Sequence, residues 1–391
     1  MENKINRLLI LPVTGNDLNT QLMSILQQIK SFIEKGDCSV LQLSFFIDIK
    51  NNDEYLNRRD FILKTITNTL KFKPSTSVIA QSPANGYHIS LELILLTEKS
   101  KKTTVLYKQE QDVAYTLILS PDTRELYAGG ISSLNFDADF TDQVDESYLI
   151  MKSILHGEGF SFADIVRQWN YIEGILEIHE CGDEHIQHYQ VLNDIRSKYY
   201  AESEFLKGYP AATGIGMDAG GSLLEFYAVQ TSSLDNILPI KNPKQVDAYH
   251  YSENVLVGDA LVRHHKKTTP KFERAKYSLV NGIRSIYISG TASIQTEKTL
   301  GENDTRLQTE ITLENISNLI TPLNLHNAGV QNVPDKINYT FIRVYLKNRN
   351  DLKLVKAICD RYYVNIPIHY LVADICRDNL LLEIEGVAEL G

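Results

Sequence analysis

The sequence predicts an α/β protein of mixed sheets, in which three units of one strand–helix order follow one another. Strand-like stretches alternate with stretches whose apolar residues recur at helical spacing, which is typical of sheets covered by helices. The order strand, helix, strand, helix, strand, strand occurs over 7–98, 113–230 and 285–390. Each copy closes with a strand that carries a glutamate, and we place Glu92, Glu225 and Glu383 at one matching position.

The elements of each copy follow from apolar spacing and turn residues. In the first copy we expect strands at 7–13, 40–49, 78–80 and 90–96, with helices over 22–33 and 55–70, the second capped by residues 51–53. In the second copy we expect strands at 114–119, 125–131, 165–172, 210–216 and 223–229, with helices from about 146 and over 186–199. In the third copy we expect strands at 285–294, 339–346, 368–375 and around Glu383, with helices over 307–323 and from 350 or 351. The connector 231–284 is less regular, and we interpret its basic run at 263–267 as a solvated loop.

Charge and cysteine content narrow the function classes. The 391 residues carry a net charge of −10, which argues against a nucleic-acid or anionic-membrane surface. The four cysteines form no CxxC, so no metal site is indicated, and we expect free thiols. The first residues lack the charged and apolar regions of a signal peptide, and no apolar run reaches membrane-spanning length. We therefore expect a cytoplasmic protein.

Three sheets with helices on one side must bury their bare faces, and packing them around a central axis does so. The repeated unit resembles the YjgF/RidA superfamily, also known as endoribonuclease L-PSP-like or chorismate-mutase-like, whose members form trimers with ligand clefts between subunits. The resemblance implies an internal pseudo-trimer of units at 1–105, 106–235 and 236–391, and therefore a monomer. The first unit is a degenerate copy, and the third includes the connector.

A narrower resemblance covers roughly residues 113–390. Five segments, in order, resemble the chorismatase family: RQWNY at 167–171, PAATGIG at 210–216, FERA at 272–275, ISGTASI at 288–294, and 374–386. Members of this family cleave chorismate to pyruvate and an aromatic or dihydroaromatic acid. The resemblance implies a small-molecule substrate and no metal, nucleotide or redox cofactor.

The closing strand carries the chemistry that this substrate needs. Glu383 is the proposed general acid that protonates the enolpyruvyl methylene, and burial beside apolar walls should raise its pKa. Chorismate has two carboxylates, so at least two cationic donors are required. Arg377 and Arg274 are the first two clamps and Arg343 a third. Further binding residues are Tyr251, Thr213 and Gly214. The alternative for Glu383 is a structural copy of Glu92 and Glu225.

Two pocket positions bear on the product. Gly290 together with Cys376 resembles the family members that form 3-hydroxybenzoate, whereas members that form a dihydrodiol acid carry Ala at the first position and a residue other than Cys at the second. Glycine adds no Cβ, so the ring can settle in a different pose. Cys376 is either a small polarizable wall or a proton-transfer partner, and an inert buried thiol is the alternative.

Two other function classes stay open. One is a non-catalytic small-molecule-binding protein of the YjgF/RidA kind. The other is an enamine or imine deaminase, which is disfavoured because deaminase members carry an arginine at the start of the strand before the last. The corresponding residues here, 366–368, contain nothing basic.

Overall fold

Three mixed sheets make up the computed structural model, which describes residues 3–36, 38–181, 184–252, 255–256 and 267–391. The strands of the first sheet, in spatial order, are Lys4–Ile10, Ile89–Glu98, Ser39–Ile47 and Ser75–Ile79. Those of the second are Ala211–Met217, Ile165–Glu173, Ser222–Thr231, Thr123–Ile131, Val113–Leu119 and Thr104–Glu110. Those of the third are Ile237–Ile240, Ala275–Val280, Ile283–Thr291, Leu382–Glu389, Asn338–Leu346, Ile368–Val372 and Ser82–Pro83. Two small hairpins pair Ile178–Cys181 with Glu184–Gln187 and Ile294–Gln295 with Lys298–Thr299.

Each sheet contains the same central arrangement. Its closing strand pairs antiparallel with a central strand, and that central strand pairs parallel with a shorter one. The parallel pairs are Ser39–Ile47 with Ser75–Ile79, Ile165–Glu173 with Ala211–Met217, and Asn338–Leu346 with Ile368–Val372. A parallel pair needs a crossover connection, and in every unit a helix supplies it.

Helices cover one side of each sheet and bury an apolar layer against it. Asn51 caps its helix through a side-chain bond to the backbone N–H of Glu54, as the sequence predicted. The α-helices are Leu18–Lys35, Asn52–Leu70, Phe140–Gly157, His188–Tyr200, Thr305–Leu319, Pro322–Asn327 and Leu352–Tyr362. Short 3-10 turns are Phe162–Asp164, Leu234–Asn236, Ala248–His250 and Arg349–Asp351. No described helix is long and apolar enough to cross a membrane.

The other faces of the three sheets pack against one another at the centre of the molecule. Phe46, Tyr171 and Tyr345, one from each central strand, belong to a single buried apolar cluster. A second cluster joins Tyr227 and Val387 to residues of the first sheet. The bare faces are therefore buried by mutual packing.

Three predictions about the elements differ from the structure, and one short strand pairs outside its own unit. The helix expected over 307–323 is two helices, because Thr321 and Pro322 begin a new one. The connector is more regular than expected, since Ile237–Ile240 and Ala275–Val280 extend the third sheet. The unit boundary at 105 falls inside Thr104–Glu110, which pairs into the second sheet. Ser82–Pro83 of the first unit joins the third sheet. Residues 263–266 of the basic run lie outside the described residues.

Candidate active site

Strand register shows that Glu385, and not Glu383, matches Glu92 and Glu225. Glu92 lies opposite Ser44, Glu225 opposite Trp169 and Glu385 opposite Arg343. These three partners occupy one position of the central strand, two residues before the aromatic residues that meet at the centre. The sequence assignment was wrong by two residues.

Glu383 occupies a position that is not acidic in the other two units. It lies opposite Tyr345, and the residues opposite Phe46 and Tyr171 are Ser90 and Leu223. The role of a structural copy therefore belongs to Glu385, and Glu383 is an additional carboxyl group specific to the third unit.

A pocket between the second and third sheets gathers most of the predicted site residues. Its walls include Glu383, Cys376, Arg377, Arg274, Gly290, Tyr251 and Gly214. These residues come from the last strand, the loop before it, the connector and the strands Ala211–Met217 and Ile283–Thr291, so they are far apart in the chain. Apolar contacts come from Phe272, Ala292 and Ile294.

The Glu383 carboxyl group is suited to hold a proton near neutral pH. The residue is 5% exposed, and burial raises the pKa of this carboxyl to about 8. The charge of Glu385 raises the same pKa further, whereas Arg167 and Arg274 act in the opposite direction. Within the described part of the chain, no hydrogen bond or ion pair occupies this carboxyl group, and it faces the pocket.

Two arginines share the tyrosine ring at one side of the pocket. Arg274 donates to the Tyr251 hydroxyl at 2.6 Å and to the Val246 carbonyl at 2.7 Å, and its guanidinium lies 5.6 Å from the Tyr251 ring centre. Arg377 donates to the Glu297 carbonyl at 2.7 Å and lies 5.5 Å from the same ring. Neither has a carboxylate at ion-pair distance among the described residues, and the buried Arg274 Nε has no hydrogen-bond partner. Two unneutralised guanidinium groups are what a dicarboxylate requires.

Gly290 provides room for the Glu383 carboxyl group. A Cβ added at Gly290 would overlap Glu383 Oε1 and would lie 2.8 Å from its Cδ and 3.0 Å from Thr213 Cγ2. The residue sits in an irregular part of its strand, where the register with the closing strand shifts between Ile288 and Thr291. The direct effect of the missing side chain is therefore to make room for Glu383, and any effect on the substrate is indirect.

Cys376 and Tyr189 form the wall beside the acid. Burial, followed by the charge of Glu383, raises the pKa of the Cys376 thiol to about 12. Burial likewise raises the pKa of Tyr189. Both groups stay protonated at neutral pH, which fits Cys376 as a small polarizable wall and disfavours a thiolate. Gly214 allows the Tyr189 ring to approach, because an added Cβ would lie 2.8 Å from that ring.

Two predicted binding residues lie outside the pocket. Thr213 is buried behind the wall, where its hydroxyl accepts from Arg167 at 2.6 Å and from the Gly290 N–H at 2.9 Å. Arg343 lies at the centre of the molecule, where it pairs with Glu92 and, at 2.9 Å, with Glu385. Its charge is neutralised there, so we correct its assignment as a substrate clamp. The sequence predicted that the strand of Arg343 could face the cleft, but the Arg343 side chain meets acids of the first and third sheets instead.

Comparison with known proteins identifies relatives of this chain. A family model described as chorismatase FkbO/Hyg5-like, N-terminal, matches residues 97–229. A 3-hydroxybenzoate synthase from Streptomyces hygroscopicus is 31% identical over 254 residues, which cover 63% of this chain and 69% of that protein. The chain belongs to the chorismatase family. A chorismatase from Streptomyces rapamycinicus is 29% identical over 234 residues, covering 58% of this chain and 64% of that protein.

The fold agrees with a solved chorismatase structure. That structure is superposed with a TM-score of 0.69 at 19% identity, and the match covers 99% of each chain. The first sheet, which the sequence resemblance covered poorly, is therefore part of the chorismatase fold.

Sequence reasoning missed Tyr189, which lines the pocket, and the ion pair of Arg167 with Glu385. Tyr189 appeared only as an apolar position of a helix, and its spacing gave no sign of a pocket. Arg167 belongs to a segment that carried the family resemblance, yet nothing in its strand showed that it would meet Glu385. Among the described residues, no group of three or more His, Cys, Asp or Glu could hold a metal ion.

Proposed function

We propose that this protein converts chorismate to 3-hydroxybenzoate and pyruvate, with Glu383 as the general acid and Arg274 and Arg377 as the carboxylate clamps. The observation that carries the proposal is a carboxyl group with a pKa of about 8 that faces a pocket holding two arginines, neither of which has an acidic partner among the described residues. The relatives named 3-hydroxybenzoate synthase and chorismatase support the same substrate.

Cleavage begins when Glu383 gives its proton to the methylene carbon of the enolpyruvyl group, which creates an oxocarbenium-like centre. The neighbouring ring hydroxyl then forms a bond to the ring carbon that carries the ether, as the carbon–oxygen bond of the ether breaks. The ether electron pair leaves with pyruvate, and the hydroxyl proton returns to the Glu383 carboxylate. The resulting epoxide opens and rearranges to 3-hydroxybenzoate, so the two products contain every atom of chorismate.

An internal nucleophile accounts for this product over hydrolysis. A hydroxyl on the adjacent carbon has a very high effective concentration, whereas water must enter a pocket lined by Phe272, Ala292 and Ile294. Cys376 contributes a compact wall that carries no charge at neutral pH.

The test is a reaction of purified protein with chorismate, followed by chromatography and by a coupled dehydrogenase assay for pyruvate. We expect 3-hydroxybenzoate and pyruvate in equal amounts. A dihydrodiol acid as the main product would overturn the product assignment and retain chorismate cleavage, and a sizeable share of 4-hydroxybenzoate would indicate a mixed-product enzyme. Pyruvate at the spontaneous rate, with tight chorismate binding, would favour a binding protein instead.

The Arg377 clamp predicts a change in KM. Arg377→Ala removes a charge-assisted contact worth about 1.5–3 kcal/mol, so KM for chorismate should rise by about 10- to 100-fold with a smaller effect on kcat. Steady-state kinetics measure both constants, and Arg306→Ala, on a helix of the third unit, serves as a control for loss of a distant charge. An unchanged KM would show that Arg377 does not contact the substrate.

We also propose that the three sheets form an internal pseudo-trimer and that the chain acts as a monomer. The mutual packing of the inner faces supports this arrangement, since residues of all three sheets are buried against one another in two shared apolar clusters. Light scattering should give a mass near 44.4 kDa. A mass near three times that value would contradict the monomer.

A further inference from the structure

The Glu385 carboxylate lies behind the wall of the pocket that contains Glu383. It accepts hydrogen bonds from three donors, Arg167 Nη2 at 2.7 Å, Trp169 Nε1 at 2.7 Å and the Thr213 hydroxyl. It also forms an ion pair with Arg343, whose Nη1 lies 2.9 Å away. The residue is 4% exposed, and the guanidinium groups of Arg167 and Arg343 both lie at ion-pair distance from its carboxylate. Its counterpart Glu225 instead receives neutral donors from Gln42, Ser44 and Tyr171.

Thr213 connects this carboxylate to the pocket. Its hydroxyl donates to Glu385, so its lone pairs are directed toward Arg167 and the Gly290 N–H, from which it accepts at 2.9 Å. Gly290 is the residue whose Cα faces the Glu383 carboxyl group so closely that no Cβ fits. A movement of Glu385 would therefore move the backbone against which the acid lies.

We infer that Glu385 is a positioning residue for the proposed reaction: through Thr213 it fixes the Gly290 backbone beside Glu383, and through its charge it keeps the proton on Glu383. This inference rests on the proposed function for its consequence in catalysis, although the arrangement of the four residues does not depend on it.

The electrostatic part follows from the groups around Glu383. Glu385 follows it by two residues on the same strand face, at a separation of about 7 Å. Its charge raises the pKa of Glu383, whereas Arg167 from the second sheet and Arg274 from the connector lower it. Cys376 and Tyr189, which face the same carboxyl group, are protonated near neutral pH. Arg377 lines the same pocket. Removing the charge of Glu385 takes away the repulsion that raises the pKa of Glu383. It also leaves the positive charges of Arg167 and Arg274 less neutralised, and these lower the same pKa.

The experiment measures the titration midpoint of the Glu383 carboxyl group in two ways: by NMR without substrate, and from the pH dependence of kcat/KM during turnover. The side-chain carboxyl of Glu383 is titrated by carbon-13 NMR with labelled glutamate, and its signal is assigned from its absence in Glu383→Gln. The unsubstituted protein should titrate near 8. In Glu385→Gln the midpoint should fall by about one to two pH units, as should the alkaline limb of kcat/KM. Glu225→Gln is the matched control, because it removes a buried glutamate of the same central region and should leave both midpoints in place.

The positioning part has its own variants. Thr213→Val removes the hydroxyl that binds the Gly290 N–H, and kcat should fall about tenfold with KM nearly unchanged. Thr213→Ser restores the hydroxyl and should restore most of kcat. These variants keep the inference testable if Glu385→Gln fails to fold.

Each result decides a separate statement. An unmoved NMR midpoint in Glu385→Gln, or the same shift in Glu225→Gln, would overturn the electrostatic role. Unchanged kcat in Thr213→Val would overturn the positioning role. A Glu383 midpoint near 8 that falls in Glu385→Gln, in a protein that releases no pyruvate, would overturn the proposed function and leave the electrostatic role of Glu385 standing.

Discussion

Glu383→Gln should lower kcat for pyruvate release by about 10²- to 10⁴-fold, the range over which a positioned general acid contributes. Glutamine keeps the shape and polarity of the side chain, but its amide is too weak an acid to protonate the methylene carbon. Binding should be retained within about threefold, because the carboxylate contacts belong to the arginines. The coupled pyruvate assay measures turnover, and calorimetric titration with chorismate measures binding.

The control for this substitution is Glu225→Gln, which alters a buried glutamate outside the pocket. If Glu383→Gln retains full turnover, the acid role moves to another group that lines the pocket, because Glu385 lies behind the wall and is paired with Arg167 and Arg343. Loss of binding together with turnover would instead assign Glu383 to the substrate contacts.

The sequence predicted the repeated unit because its signals are local. Helix caps, turns and apolar periodicity act over a few residues, and they placed the helices and most strands correctly. The strand Ala275–Val280 was missed although its apolar and polar residues alternate, because it lies in the connector that the sequence analysis treated as irregular. Its neighbour Ile237–Ile240 is four residues long, too short for a periodic signal.

The error between Glu383 and Glu385 shows where period-two patterns stop being informative. Both glutamates face the same side of one strand, so alternation treats them alike. The cross-strand partners Tyr345 and Arg343 distinguish them, and those partners are known only from the register. The Glu385 carboxylate contacts Arg167, Arg343 and the indole of Trp169, whereas the Glu383 carboxyl group lines the pocket.

The same limit applies to the arginines. The sequence can assign each candidate arginine to an element, but it gives no reason to prefer one as a substrate clamp over the others: Arg274, Arg343 and Arg377. Which of them is neutralised depends on the acids that other sheets bring near: Glu92 and Glu385 reach Arg343, whereas no carboxylate among the described residues pairs with the other two. The candidate clamp is defined by what the fold leaves unpaired.

Gly290→Ala should lower total turnover by about 10- to 100-fold and raise the share of dihydrodiol acid in what remains. The added methyl group would overlap Glu383 Oε1 and approach its Cδ to 2.8 Å, so the carboxyl group must rotate away from its present position. Thr213 Cγ2, at 3.0 Å, closes the other side, and the hydrogen bond from the Gly290 N–H to the Thr213 hydroxyl at 2.9 Å holds the backbone in place. A displaced acid protonates the methylene less often, which lowers the rate. A displaced ring holds its hydroxyl farther from the breaking bond, so water attacks in a larger share of turnovers.

Rate and product ratio separate these two effects, and both are read from one timed reaction by chromatography. Gly157→Ala is the control, because its added methyl group would meet nothing within 4 Å and should change neither quantity. A lower rate with an unchanged ratio would show that Gly290 serves the acid alone. A changed ratio at full rate would show that it serves the substrate pose alone. If rate and ratio both stay at their original values, the close approach of Gly290 to Glu383 has no part in catalysis, because the carboxyl group can then act from a second position in the same pocket.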